Sequence, residues 1–181
     1  MFSIKKIRFK KILAKDLKKI LAWRNNLFIR SKMLNQKKIS YNNHLKWFKG
    51  LQNSSNQKSF IIYYKKNQIG LASIKEVNSE NKTCTWGYYI GESCFRYLAL
   101  LVEYKFIDLI FNKINVRKIW GETISSNKII LKIHKVLGFK IEGTFKKHVK
   151  VKNKYEDIIF TSLFKKDWNM SKKKILSNFR Y

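Results

Sequence analysis

Three polar side chains interrupt an otherwise apolar strand–helix unit in the second half of this chain. Glu122 lies in a strand-like run, Asn127 falls in the first turn of the following helix, and His134 lies beside that helix's apolar stripe. A buried carboxylate can act as a general base, and histidine exchanges protons near neutral pH. Their spacing therefore indicates a site that moves protons. Taken singly, each also has a structural interpretation, as an edge-strand glutamate, a helix cap and a buried polar group.

The elements that position these three residues can be read from the local pattern. Residues Lys118–Ile124 alternate and are rich in β-formers, which predicts a strand. Ser125 or Ser126 can cap a helix, whose apolar residues recur at helical spacing at Ile130, Ile133 and Leu137. Gly138 supplies the left-handed position that ends it.

The rest of the chain predicts one mixed α/β domain over residues 1–168, followed by a basic, flexible tail over residues 169–181. Strands are expected at 5–13, 60–64, 68–77, 83–90, 118–124, 145–149 and 158–164. Helices are expected at 16–25, 40–51, 96–112 and in the unit described above. No internal repeat or linker interrupts this pattern.

The net charge is extreme. The chain of 181 residues has 40 Lys and Arg against 11 Asp and Glu, a formal charge of +29. Such a field attracts polyanions. However, the cations are mostly lysines spread along the whole chain, and no nucleic-acid recognition motif is present. Abundant Lys, Asn, Ile, Phe and Tyr without proline is what an A/T-rich genome would encode. We therefore expect no specific nucleic-acid partner.

Location and metal binding are also constrained by the sequence. Cys84 and Cys94 lack metal-ligand spacing and are expected to be free thiols in a reducing compartment, so no metal is predicted. The first residues carry no continuous apolar core of the kind a signal peptide needs. No run approaches the roughly 18 apolar residues of a membrane span. These features predict a cytoplasmic protein with no membrane partner.

The order strand–E–x4–N–x6–H–x3–GF–x2–EG, which runs from Glu122 to Gly143, resembles the C-terminal half of the GNAT acyl-CoA-dependent N-acetyltransferases. The resemblance continues upstream through the tripeptide Trp23-Arg24-Asn25, the segment 44–48 (HLKWF) and the segment 87–91 (GYYIG). This set is similar to the bacterial nucleotide-sugar branch, which modifies the 4-amino group of UDP-4-amino-4,6-dideoxy-N-acetyl-β-L-altrosamine in pseudaminic acid synthesis. It covers about residues 5–168. It implies an α/β (α+β) GNAT fold, with a central mixed, twisted sheet of six to seven strands flanked by four helices.

The resemblance implies acetyl-CoA as co-substrate and direct attack by the acceptor amine in a ternary complex. Glu122 would be the general base, and His134 would protonate the departing thiolate. The residues implied to bind the donor are Tyr88, Tyr89 and Ile90 along pantetheine, Arg96 at the pyrophosphate, and Asn127. For the UDP-amino sugar acceptor they are Arg24, Asn25, Arg30, Met33 and His44.

One segment departs from the family pattern. The usual pyrophosphate loop reads Q/R-x-x-G-x-G/A, whereas residues 96–101 here read RYLALL and keep only the Arg. Side chains in place of glycine would hinder the approach of backbone to phosphate.

Two other functions remain open at this stage. The chain could acetylate protein α-amino groups, as the ribosomal-type enzymes do, or it could be a non-catalytic GNAT domain that binds a polyanion. The oligomeric state, with a homodimer as one alternative, is also left open.

Overall fold

The structure is a computed structural model that describes residues 3–151 and 153–177. Within these ranges, seven strands form one sheet: β1 (Ile7–Lys11), β2 (Lys58–Tyr64), β3 (Asn67–Asn78), β4 (Thr83–Ile90), β5 (Lys118–Ile124), β6 (Lys140–Val151) and β7 (Lys154–Phe164). The same ranges contain six α-helices: α1 (Leu17–Asn25), α2 (Leu27–Arg30), α3 (Tyr41–Gln52), α4 (Ala99–Lys113), α5 (Lys128–Leu137) and α6 (Lys165–Ser177). The expected mixed α/β sheet is confirmed.

The sheet is antiparallel except at its centre. Its order is β1-β2-β3-β4-β5-β7-β6, and only β4 and β5 run parallel. These two strands pair at three positions, the last being Thr85 with Trp120, and then diverge. Beyond Thr85, the edge of β4 that faces β5 is therefore left without a strand partner in the described residues.

Helices cover the two faces of the sheet unequally. On one face, α4 and α5 pack a large core around the fully buried Phe106 and Ile110 of α4 and Leu137 of α5. On the other face, α1 and α3 pack a smaller cluster over β2 and β3, which includes Ile20 and Phe48. The divergent ends of β4 and β5 lie between these two layers.

The prediction of a flexible tail from residue 169 is wrong for residues 169–177, which the structure describes as helix. Helix α6 continues to Ser177, Trp168 is fully buried, and Ile175 one heptad later is buried as well. Trp168 Nε1 also donates to Asp108 Oδ1 at 3.2 Å. An apolar pair seven residues apart marks one helix face, and this signal outweighs the basic composition. Residues 178–181 lie outside the described ranges.

The segment between β4 and α4 also differs from expectation. Residues Ser93–Leu98 form a 3-10 helix, and the α-helix begins at Ala99 rather than near residue 96. Two helices beyond the four expected, α2 and α6, are present in the described ranges. A four-residue helix such as α2 is too short for the hydrophobic pattern to show.

Candidate active site

The divergence of β4 from β5 opens a cleft of about 910 Å³. One wall is β4 from Trp86 to Ile90, and the other is β5 from Gly121 to Ile124 together with the start of α5. Residues of α1, α2, α3 and the connector between α2 and α3 close its third side. Most of the side chains singled out from the sequence meet here.

Tyr88, Tyr89 and Ile90 all line the cleft, as expected for the donor wall. Their backbone groups on one edge pair with β3, while the edge toward β5 is open. An extended ligand with amide groups could pair with this open edge as an added strand does. Successive side chains of a strand point to opposite faces, so Tyr88 points toward α4 and Tyr89 toward α1 and α3. The geometry therefore suits a pantetheine arm.

Arg96 stacks on an aromatic ring in the lining of the cleft. Its guanidinium carbon lies 3.5 Å from the centroid of the Phe28 ring, and both residues line the cleft. The Arg96 Nε is buried and has no hydrogen-bond partner in the described part of the chain. A stacked guanidinium with an unused N–H is suited to bind an anion such as a phosphate.

The side chains that replace the loop glycines obstruct the cleft less than the sequence suggested. Of the residues that replace the glycines, Ala99 lines the cleft, whereas Leu101 packs against the large core. Leu98 is fully buried in that core. Of the two side chains that replace the glycines, only the methyl group of Ala99 therefore lines the cleft in the described residues.

The tripeptide Trp23-Arg24-Asn25 has three separate contacts. Trp23 Nε1 donates to Glu92 Oε1 at 3.1 Å, which joins α1 to the segment after β4. Arg24 lines the cleft, donates from Nη2 to the Asn35 carbonyl at 2.6 Å, and keeps a buried Nη1 without a partner in the described residues. Burial lowers the pKa of Arg24. Of the three, Arg24 is thus the one placed to meet a ligand.

Two of the expected acceptor residues do not line the cleft. Asn25 uses both ends of its amide on Ile39, donating to its carbonyl and accepting from its N–H at 2.8 Å each. Arg30 donates from Nη1 to the Gln36 carbonyl at 3.0 Å. Both therefore hold the connector between α2 and α3 in shape. Met33, which the same connector carries, does line the cleft.

His44 and Tyr89 present two further buried polar atoms at the cleft. His44 stacks on Trp47 with ring centroids 5.0 Å apart, and its Nε2 has no partner among the described residues. Burial lowers the pKa of His44, against a smaller opposing effect of its hydrogen bond to the Leu17 backbone. The Tyr89 hydroxyl is likewise buried and unpaired in the described ranges, and burial raises its pKa. Unpaired buried polar atoms are costly, so these atoms suggest a ligand that completes their hydrogen bonds.

Glu122 and Asn127 both line the cleft, on β5 and just before α5. Glu122 is exposed, so its expected burial is wrong: β5 turns this side chain to the open side of the sheet. The capping expectations for Ser125 and Ser126 are also wrong, because the residue at the N-cap is Asn127. The Asn127 side chain makes no cap hydrogen bond within the described residues. Its amide is therefore available to a ligand.

His134 lies at the rear of the cleft and is 5 % exposed. Its Nδ1 is 3.1 Å from Thr161 Oγ1, and its ring packs on Phe139 and Trp86. Burial lowers the pKa of His134 to about 4. The imidazole is therefore neutral near pH 7. Its assignment to the leaving group remains a prediction.

The sequence analysis assigned no role in the site to Glu103. This α4 residue is fully buried, its Oε2 lies 3.0 Å from the Tyr88 hydroxyl, and its Oε1 lies 3.3 Å from His134 Nε2. Burial raises the pKa of Glu103 well above its ordinary value, so the pair is neutral rather than ionic. A signal was available: Glu103, Phe106, Ile107 and Ile110 lie at i, i+3, i+4, i+7, which places a carboxyl in an apolar stripe.

The charge of the cleft is strongly positive. Seven cationic side chains line it: Arg24, Lys32, Lys37, Lys38, Lys75, Arg96 and Lys128. Glu122 is the one carboxylate among the described lining residues. Such a site favours anionic ligands and disfavours polycations.

The described residues contain no group of three or more His, Cys, Asp or Glu side chains that could hold a metal ion. Cys84 and Cys94 are free thiols, and burial raises the pKa of Cys84 to about 12. None of the helices described combines the length and the apolar character that crossing a membrane requires.

Comparisons with known proteins agree with this geometry. The model of the acetyltransferase (GNAT) domain matches residues 9–160. Acetyltransferase PseH of Campylobacter jejuni serotype O:2 is 33 % identical over 86 residues, which is 48 % of this chain and 53 % of that protein. PseH of serotype O:23/36 is 25 % identical over 138 residues, or 76 % of this chain and 85 % of that protein.

Among solved structures, spermidine N-acetyltransferase from Vibrio cholerae in complex with CoA and spermine superposes with a TM-score of 0.84. It is 18 % identical, and the superposition covers 91 % of this chain and 99 % of that one. At this identity the likeness concerns the fold alone. The family match covers most of the chain, and the chain therefore belongs to the GNAT family of acetyltransferases.

Proposed function

We propose that this protein transfers the acetyl group of acetyl-CoA to the 4-amino group of a UDP-linked 4-amino-4,6-dideoxy sugar. The observation that carries the proposal is the cleft between β4 and β5, where an open strand edge meets a cationic lining with a single carboxylate among its described residues. GNAT enzymes use acetyl-CoA, and similarity to the PseH acetyltransferases favours a nucleotide-sugar acceptor.

The donor fits the wall formed by β4. The amides of its pantetheine arm would pair with the open edge at Tyr88–Ile90, which leaves the thioester in the gap before β5. Arg96 would bind the pyrophosphate through the N–H groups that its stack on Phe28 leaves free. Asn127, whose side chain does not cap α5, would contact the donor from the opposite wall.

The acceptor fits the side of α1 and α3. Arg24 and His44 bring unpaired buried N–H or nitrogen groups to the cleft, and Met33 adds an apolar surface suited to a 6-deoxy sugar. The surrounding lysines would attract a diphosphate. A polyamine, the acceptor named for the superposed Vibrio cholerae enzyme, would instead be repelled by this lining.

The chemical step is attack by the neutral amine on the thioester carbonyl. The new C–N bond forms and the C–S bond breaks, which gives the amide and the CoA thiolate. Glu122 would take the proton of the initial ammonium, directly or through water, and pass it to solvent. The nitrogen loses its second proton as the amide forms, and the thiolate gains one, so the products are the N-acetyl sugar and CoA thiol. The cations of the cleft would also lower the pKa of the acceptor ammonium.

The first test is calorimetric titration with acetyl-CoA at low and high salt, with ATP as a polyanion control. A protein of this charge binds nucleotides loosely, and screening weakens that binding. We expect saturable acetyl-CoA binding that survives high salt, whereas ATP binding is lost. If high salt abolished the binding of acetyl-CoA and of ATP equally, the result would support a non-catalytic domain that binds polyanions.

The second test is release of CoA thiol with three acceptors: the UDP-4-amino-4,6-dideoxy sugar, spermidine and a peptide with a free α-amino group. We expect turnover with the nucleotide sugar. Turnover with the peptide alone would instead support the ribosomal-type alternative, and turnover with spermidine alone would refute the argument from charge.

A further inference from the structure

Glu103 lies behind the part of the sheet where β4 and β5 no longer pair with each other. It projects from α4 toward the buried side of the gap between β4 and β5, and it contacts one residue from each wall of the cleft. Its Oε2 meets the hydroxyl of Tyr88 on β4, and its Oε1 lies beside Nε2 of His134 on α5. Glu103 itself does not line the cleft.

The Glu103 carboxyl makes one hydrogen bond to the wall formed by β4. The Tyr88 hydroxyl donates to Glu103 Oε2 at 3.0 Å, and it also lies 3.2 Å from a second acceptor, the Ala99 carbonyl. Full burial disfavours the charged carboxylate, so Glu103 is in its acid form.

His134 lies between Glu103 and β7. Its Nε2 faces Glu103 Oε1 at 3.3 Å, and its Nδ1 lies 3.1 Å from the hydroxyl of Thr161 on β7. Glu103 Oε1 makes no hydrogen bond in the described ranges, so its contact with His134 is one of close approach.

We propose that Glu103 is a positioning residue for the acyl donor, which fixes Tyr88 of β4 and His134 of α5 relative to each other behind the cleft. The inference rests on the proposed function, because it assumes that the donor enters between these walls. A run of contacts from Thr161 through His134 and Glu103 to Tyr88 joins β7, α5, α4 and β4. It thereby replaces, on the buried side, the strand pairing that is lost beyond Thr85.

Two substitutions separate positioning from mere packing. Glu103→Gln keeps an acceptor for Tyr88 and a polar group facing His134, and we expect kcat/KM for acetyl-CoA within about threefold of the unsubstituted protein. Glu103→Leu keeps the volume but removes both contacts. Removing one partner of a buried polar contact usually costs stability, because the other partner stays buried without it. We therefore expect a lower unfolding midpoint, as in the control below, together with kcat/KM lowered about 10²-fold through the misplaced walls.

The matched control is Asp108→Asn on the same helix. Asp108 binds Trp168 and Lys172 of α6, and it does not line the cleft. We expect this variant to lose stability while its acetyl-CoA Kd stays that of the unsubstituted protein. The same Kd and kcat/KM in Glu103→Leu as in the unsubstituted protein would overturn the positioning role. Failure of the unsubstituted protein to bind acetyl-CoA would overturn the proposed function and this role with it.

A measurement on the imidazole keeps the inference testable if Glu103→Leu does not fold. The chain has three histidines, so ¹⁵N–¹H correlation of the imidazoles can identify His134 by comparison with His134→Phe. The expected result at pH 7 is a neutral His134 imidazole whose ring ¹⁵N shifts change in Glu103→Gln and stay the same in Asp108→Asn. Unchanged His134 shifts in Glu103→Gln would overturn the contact between these two residues and with it the positioning role.

Discussion

The indole of Trp23 occupies the space that a side chain at Gly91 would need. A Cβ built at position 91 would lie 2.2 Å from Trp23 Cγ, closer than any real carbon contact. Because Gly91 follows β4 directly, α1 sits against the start of the segment that carries Arg96. The hydrogen bond from Trp23 to Glu92 strengthens the same junction. Helix α1 and the segment that follows β4 are thus in direct contact.

Gly91→Ala should therefore destabilise the protein. The methyl group meets a rigid ring rather than a flexible chain end, and overpacking of this kind costs about 1–3 kcal/mol. Thermal unfolding measures the loss. Gly87→Ala on the same strand is the matched control, because a Cβ there meets nothing within 4 Å among the described residues. Equal unfolding midpoints for the two variants would contradict the packing argument.

Glu122→Gln should lower turnover and leave donor binding intact. Glu122 is the one carboxylate among the described residues of the cleft lining, so the amide leaves no carboxylate there to take the proton. General-base catalysis contributes about 10²–10⁴-fold, and kcat should fall by that order. The thiol-release assay measures kcat, and calorimetry measures the Kd for acetyl-CoA. Glu142→Gln is the control, because Glu142 binds Lys118 and Ser162 outside the cleft. Full activity of Glu122→Gln would remove Glu122 from the mechanism.

The positions of these groups could be predicted from the sequence better than their environments. The pattern from Glu122 to Gly138 gave the strand, the helix and the left-handed glycine, whose φ is 90°. It could not show that His134 is buried, because the groups that bury it, Trp86, Phe139 and Thr161, come from other elements. Nor could it show that Glu122 is exposed in the cleft, because its exposure depends on how β4 and β5 diverge.

The acceptor residues show the same limit. Arg24 and Asn25 are neighbours in one motif, yet Arg24 lines the cleft while Asn25 is used up by Ile39. Helix geometry turns adjacent side chains about 100° apart, so a motif alone does not show which member meets the ligand. The apolar spacing in α4 and α6 could have predicted the buried positions of Glu103 and of one face of α6. The charged residues in these segments made that spacing harder to recognise.

Stability should respond to the buried His134 as pH falls. Its pKa drops from 6.5 to about 4 on folding, so between these values the unfolded chain binds more protons, and stability falls as pH falls. The full effect is on the order of 3 kcal/mol. Glu103 acts in the opposite direction, because its raised pKa reduces stability as pH rises. His134→Phe should therefore gain stability, relative to the unsubstituted protein, as pH is lowered from about 6.5 to about 4.

Urea unfolding at several pH values measures this difference in the free energy of unfolding. His148→Gln is the control, because it changes an exposed imidazole on β6. A stability difference between His134→Phe and the unsubstituted protein that does not vary with pH would show that His134 is not held in its neutral form.

Phe28→Ala should weaken binding of acetyl-CoA without unfolding the protein. The ring holds the Arg96 guanidinium at 3.5 Å, and a cation–π contact contributes roughly 0.5–2 kcal/mol, or about 2- to 30-fold in Kd. Phe28→Tyr keeps the ring and should keep the affinity. Leu27→Ala is the control, because Leu27 is an exposed neighbour on α2 that does not line the cleft. Equal affinities for Phe28→Ala and Leu27→Ala would show that Arg96 needs no aromatic support.

Asn25→Ala should affect the acceptor rather than the donor. Both hydrogen bonds between Asn25 and Ile39 are lost, and the Ile39 backbone groups they served cost about 1–3 kcal/mol when left unpaired. The connector they hold carries Met33 and Asn35, which line the cleft and, through the Asn35 carbonyl, orient Arg24. We expect KM for the amino sugar to rise several-fold and the Kd for acetyl-CoA to stay unchanged. The exposed Asn42→Ala on α3 is the control. A matching rise in both constants would mean that Asn25 supports the whole cleft instead of its acceptor side.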